Sequence, residues 1–63
     1  MTLDQYMTSI GITNAQLAKL VGVSDVMVHY WRRKGAVPKM RLRAAIDTLS
    51  EGAVNMHDDW PKA

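Results

Sequence analysis

Asn14 to Arg33 reads NAQLAKLVGVSDVMVHYWRR, and its spacing decides the fold. Leu17, Ala18 and Val21 fall at i, i+1 and i+4, the apolar stripe of a short helix. Ala18 is small where two helices must cross closely, and Gly22 supplies the left-handed residue that ends the first of them. Val23 plugs the corner. Val28 and Trp31, three apart on the next helix, face back onto that stripe. The order Leu, Ala, Val, Gly, Val, Val, Trp predicts two helices packed across a tight turn, as a helix-turn-helix reader of DNA requires.

Outward from this motif, the pattern predicts an all-α chain of five helices with no strand signal. Thr2 and Gln5 form a capping-box pair ahead of Leu3, Tyr6, Met7 and Ile10, which are expected to be buried at helical spacing until Gly11 ends the first helix. Thr13 and Gln16 repeat the pair and open a second helix that runs to about Val21. Ser24 caps the third, the expected recognition helix of about 24–34, and Gly35 stops it. After the apolar link Ala36–Val37, Pro38 sits where the first turn of a helix tolerates proline. That fourth helix carries Leu42, Ala45, Ile46 and Leu49 as its apolar stripe and is expected to end at Gly52. A short fifth helix is expected from Asn55 to Trp60, ahead of Pro61, with Val54 and Trp60 covering an open end of the core. Repeats, low-complexity tracts and linkers are absent, so residues 1–63 read as one domain with the motif at 14–33.

Charge is polarised along the chain. Arg32, Arg33, Lys34, Lys39, Arg41 and Arg43 are six of the eight basic residues, with no acid among them, whereas Asp47, Glu51, Asp58 and Asp59 follow. The net charge of +2 therefore hides a concentrated positive edge, which suits a polyanion such as DNA or RNA. A solvated charged face is the plainer alternative, but this cluster begins on the expected recognition helix.

At about 100° per residue, Met27, Val28 and Trp31 cluster on one side of the third helix. Asp25, Val26, His29, Tyr30 and Arg33 lie on the other, and these are the candidate base-contacting residues. Arg33 can bond guanine O6 and N7 together, His29 a base edge or a phosphate, Val26 a thymine methyl and Asp25 the amino group of cytosine. Each has a plainer role as well. Asp25 suits the first turn of any helix, Tyr30 can cover the core edge, and Val26 and Arg33 can be ordinary surface residues. Phosphate contacts are expected from Thr13, Asn14, Gln16 and Ser24 at helix starts, and from Arg32, Lys34, Lys39, Arg41 and Arg43 by charge. Lys39 and Arg43, four apart, share a face and could straddle one backbone strand.

Other functions find little support in the composition. A chain of 63 residues buries only about 60% of its unfolded surface, so its core is small. Without cysteine it has no disulfide framework and no cysteine-based zinc site, and a reducing cytoplasm fits. No apolar run spans a bilayer, and the start MTLDQYMTSI lacks the charged region of a secretory signal. His29 has no second ligand at metal spacing. His57, Asp58 and Asp59 are sequential, so on a helix they fan out around the axis, and no glycine-rich phosphate loop is present. The expectation is a protein that is not an enzyme and needs no cofactor, metal, membrane or small-molecule ligand.

The segment Asn14–Arg33, continued by WRRKGAVPKMRLRAAI and the tail SEGAVNMHDDWP, resembles the small phage Cro repressors and the YdaS-like prophage regulators. The resemblance spans most of the chain. Tryptophan, glycine, valine-proline, a helix and then Gly-Ala-Val are fairly specific to that group, whereas the alanine-glycine core of the motif is shared far more widely. It implies a compact five-helix domain of the lambda-repressor type that binds double-stranded operator DNA and represses transcription, usually as a dimer. The setting it implies is the cytoplasm of a bacterial host, at the nucleoid. By position, Asp25, Val26, His29 and Tyr30 match base-reading sites, Arg33 matches the helix end, and Asn14 matches a phosphate-holding residue that is commonly glutamine. Val26 and Tyr30 stand where such proteins often carry glutamine, so no operator sequence follows. Some Cro proteins end in strands, but Pro38 and the 42/45/46/49 stripe favour helix here.

Two further expectations concern partners. An antitoxin-like module that docks a protein through a Val26–Tyr30 anchor is the alternative to DNA reading. A weak homodimer, formed or strengthened on DNA, is expected to use the far end of the fourth helix with Val54, Met56 and Trp60.

Overall fold

Thr2 and Thr13 each sit in extended backbone and close a reciprocal cap with a glutamine three residues on. The Thr2 hydroxyl accepts from the Gln5 N–H at 3.2 Å while the Thr2 N–H donates to Gln5 Oε1 at 3.0 Å. Thr13 and Gln16 repeat this at 3.2 and 2.9 Å. These caps satisfy N–H groups that a helix start leaves unpaired, and so fix where two helices begin. In the computed structural model, which describes residues 1–60, the helices are α1 (Leu3–Ile10), α2 (Asn14–Val21), α3 (Asp25–Arg33) and α4 (Met40–Leu49). Pro61 and the two residues after it lie outside the described residues.

Gly22 ends α2 in the left-handed region at φ +83°, and its N–H and that of Val23 both bond the Ala18 carbonyl, at 2.8 and 3.0 Å. An L side chain at this φ is strained, so glycine is the residue that lets the chain turn at once. Ser24 then accepts from the Met27 N–H at 3.3 Å and starts α3. Only residues 22–24 separate the two helices, which pack against each other more extensively than any other pair. In addition α3 meets α1, and α2 meets α4, which places α2 between α3 and α4.

The core is one cluster: Leu3 and Met7 of α1, Leu17 and Ala18 of α2, Val28 and Trp31 of α3, Leu42 and Ile46 of α4, with Val54 and Trp60 from the tail. Every element therefore contributes. Tyr6, Ile12, Val21, Val23 and Ala36 pack at its edge.

Four expectations are corrected. Among the described residues there are four helices, not five. Residues 55–60 form turns: Asn55 Oδ1 accepts from the His57 and Asp58 N–H groups, and one backbone bond from Asp59 to the Asn55 carbonyl closes the segment. Pro61 follows in the sequence, and a residue before proline is disfavoured in α geometry, which works against a second turn at Trp60. Pro38 lies outside α4, which starts at Met40 after an extended Lys39, and α4 ends at Leu49 rather than Gly52. There Glu51 and Gly52 both take positive φ, and the Gly52 N–H returns to the Asp47 carbonyl.

The third correction concerns buried faces. Ile10, Met27, Ala45 and Leu49 are exposed. Ile10 shares the Leu3–Met7 face but is the last residue of eight-residue α1, and Ile12 fills that edge of the core instead. Met27 stands roughly 70° from the middle of the Val28–Trp31 arc, at its border. The fourth is that Val54 and Trp60 are buried core residues, so they offer no surface for self-contact. Their segment is pinned from beneath. Buried Ser50 accepts from the Val54 N–H, and Asp47 Oδ2 accepts from the Met56 N–H, both at 3.0 Å.

Among the described residues no helix is long and apolar enough to cross a membrane.

Candidate functional site

The outward face of α3 follows from its inward one. Val28 and Trp31 fix one side against the core, and positions about 140–200° round the helix then point away from it. Val26, His29, Tyr30 and Arg33 occupy or border that arc. Val26 is 53% and Tyr30 48% exposed, and the Arg33 side chain is 60% exposed. His29 packs its ring on Tyr30 with centroids 5.8 Å apart. Asp25 is exposed on the first turn, where its charge suits the positive helix end. The structure thus brings four of the five candidate base-contacting residues onto one face, with Asp25 towards its flank. Burying a valine and a tyrosine against another surface recovers apolar area that water otherwise wets.

Arg32 is placed differently from its neighbour. About 40° from Val28, it borders the buried side. Its Nε donates to Asp4 Oδ1 at 2.8 Å, Nη2 lies 2.7 Å from the same oxygen as an ion pair, and Nη1 donates to Asn14 Oδ1. Only 15% of its side chain is exposed. One guanidinium therefore ties α3 to the start of α1 and the start of α2, so Arg32 sets the pose of α3 while Arg33 remains outside. Asp4 is 28 positions away in the chain, and nothing in the local pattern signals the pairing.

That clasp also orients the candidate phosphate site at the start of α2. Arginine offers only donors, so Asn14 must present its carbonyl oxygen to Arg32 and its NH₂ elsewhere. The same logic holds for Gln16, whose oxygen accepts from the Thr13 N–H. Neither amide NH₂ has a partner among the described residues. Two amide donors and the positive helix end are left for an acceptor, which is what an anion needs. The Thr13 and Ser24 hydroxyls are engaged as caps for Gln16 and Met27.

The remaining basic residues divide. Lys34, Lys39 and Arg41 are exposed. Arg43 is half-buried, with Nη1 directed to the Met56 carbonyl at 3.5 Å, so it lies against the tail instead of standing beside Lys39. The exposed positive edge is therefore Lys34, Lys39 and Arg41, with Arg33, whose Nη2 lies 3.9 Å from Asp4 Oδ1.

A feature the sequence pattern did not single out is a groove between α2 and α4. Leu20 and Leu49 are exposed along it, near the C-terminal ends of α2 and α4. The expected 42/45/46/49 stripe hides it. A helix this short needs only Leu42 and Ile46 in the core, and that is the signal that frees the other two.

Comparison with protein-family models, with curated proteins and with solved structures finds no match to this chain.

Proposed function

We propose that this chain is a double-stranded DNA-binding regulator of the helix-turn-helix kind, a Cro-type repressor that lays α3 in the major groove. The observation that carries this reading is the exposed α3 face. Val26, His29 and Tyr30 stand beside Arg33 on the second of two helices joined by a tight turn, with amide donors at the start of the first. Arg33 and His29 offer base-edge hydrogen bonds, and Val26 an apolar contact for thymine. Asn14 and Gln16 hold one backbone strand, and Lys34, Lys39 and Arg41 neutralise phosphates. Arg32 positions the reading helix from behind.

A domain 24 Å in its longest dimension covers one half-site. Two copies on a two-fold operator, with half-sites roughly 34 Å apart, supply a longer address. Such a regulator works in the bacterial cytoplasm.

Fluorescence anisotropy with a labelled random-sequence duplex, read across a salt series, tests the proposal. Log affinity is expected to fall linearly with log salt, with a slope of about 0.9 per phosphate contacted. Lys34→Ala and Lys39→Ala are each expected to lower that slope by about 0.9. Salt-independent binding, or none at low salt, contradicts the reading and leaves the α3 face to a protein partner.

A further inference from the structure

The side of the molecule across α2 from α3 carries a groove of about 470 Å³. Leu20 and Val21 at the end of α2 form one wall, and Ala44, Ala45, Thr48 and Leu49 of α4 form the other. Arg41 stands at its α4 N-terminal rim. Leu20, at 62%, is the most exposed large apolar residue among the described residues.

We propose that this groove is the two-fold contact between two copies of the chain. The two α4 helices lie antiparallel with Ala45 near the axis, and Leu20 of each copy enters the groove of the other.

The charges on α4 point to a second copy rather than to an unrelated segment. Its first turn contains no acid but holds Arg41 and Arg43, and its last turn contains no base but holds Asp47. Lys39 gives it no side-chain cap. Arg43 and Asp47 are engaged by the Met56 carbonyl and N–H of the tail, so Arg41 is the charge whose opposition to the helix dipole no contact among the described residues offsets. An antiparallel copy of the same helix does. With Ala45 at the axis, Arg41 lies over residue 49 of the other copy, beside its C-terminal carbonyls and the exposed Glu51. The two Arg41 side chains stay about 12 Å apart along the helix, so their repulsion is modest.

Shape agrees with charge. A two-fold contact must match itself, each residue meeting a different one on the partner. The patch carries both a projecting leucine and a small-residue hollow that accepts one. Ala44, Ala45 and Thr48 also allow two backbones to approach closely.

The size of the contact sets the strength. Seven residues line the groove, far fewer than the about 20–30 a side of a standard stable interface. The free dimer is therefore weak, and two copies held side by side on DNA complete it. That last step rests on the proposed function, whereas the contact itself does not.

The chain has no cysteine, so one introduced thiol gives an unambiguous cross-link. Ala45→Cys and, as a control on the exposed side of α1, Thr8→Cys are treated with a short bis-maleimide over a concentration series, with and without a random duplex. Ala45→Cys is expected to cross-link at least about tenfold faster at high protein concentration without DNA, because the axis raises the effective thiol concentration. At a protein concentration where the parent chain associates, Ala45→Glu and Ala45→Lys, both folded by circular dichroism, are each expected to sediment as monomers, and their equimolar mixture to associate again. Equal cross-linking rates, or a mixture that stays monomeric, overturn the proposal. Cross-linking at position 45 in a chain that ignores duplex supports the contact and removes only the DNA reading. Duplex binding that is unchanged by Ala45→Glu, with independent monomers on the DNA, removes the contact and keeps the reading.

Discussion

The indole rings of Trp31 and Trp60 meet edge to face, with centroids 6.3 Å apart and planes at 86°. Trp31 belongs to the helix that carries the candidate reading face, and Trp60 to the turns that follow α4. Through this pair the tail becomes part of the core that holds α3. Trp31→Ala and Trp60→Ala are each expected to cost about 3–5 kcal/mol, enough to unfold much of a domain this size. Urea unfolding of Trp31→Phe, Trp60→Phe and the double variant should give a coupling of about 0.5–1.5 kcal/mol. Full stability in Trp60→Ala would detach the tail from the core.

Arg32 separates a positioning role from a phosphate contact. Asp4→Ala removes the acceptor of the Arg32 Nε bond and its ion-pair partner, and is expected to lower stability by about 1–3 kcal/mol, as is Arg32→Ala. Under conditions where Arg32→Ala is fully folded, its salt slope on random duplex is expected to match that of the parent chain. A slope lowered by about 0.9 would make Arg32 a phosphate ligand.

Asp59 gives the tail a dependence on pH. The Asn55 N–H donates to its carboxylate at 2.7 Å and the Met1 ammonium lies 3.1 Å away. The Asn55 bond first, then the ammonium, hold its pKa below the usual 3.8. The folded-state value is thus depressed. This stabilisation is complete above the unfolded value of 3.8 and disappears as pH falls through the lower folded value. Thermal melts from neutral pH downward are expected to lose stability below about pH 4 in the parent chain and less steeply in Asp59→Asn. Parallel curves for the two would remove Asp59 from the acid response.

Val26 makes the reading face sensitive to a methyl group. If it packs on thymine, an alternating dA–dT duplex should bind about fourfold more tightly than the dA–dU duplex for each methyl buried, from about 0.8 kcal/mol per buried carbon. Val26→Ala is expected to shrink that ratio. Equal affinity of the parent chain for the two duplexes would take Val26 out of base contact on this sequence.

Local features were legible in the sequence because their causes are local. Thr2 with Gln5, Thr13 with Gln16, and Ser24 placed three helix starts, and Gly22 marked a turn whose φ only glycine adopts without strain. The pairing of Leu17 and Ala18 with Val28 and Trp31 followed from the same spacing. The failures are non-local. Whether Ile10, Met27, Ala45 and Leu49 are buried depends on how many neighbours a short helix meets, which periodicity does not encode. The tail looked helical because Asn55 is a good cap, yet its side chain closes a single turn. At the candidate site, exposure of Val26, Tyr30 and Arg33 follows the helical wheel. The withdrawal of Arg32 and Arg43 depends on Asp4, Asn14 and the Met56 carbonyl, partners brought near only by folding.

The central claim is that α3 presents its outward face to duplex DNA, and amide chemical-shift mapping during titration with a random duplex at low salt tests it most directly. The account predicts the largest shifts at Val26, His29, Tyr30 and Arg33, with a second group at Asn14 and Gln16, all reversed by added salt. Shifts confined to the α2–α4 groove, or none at all while the protein remains folded, would contradict it.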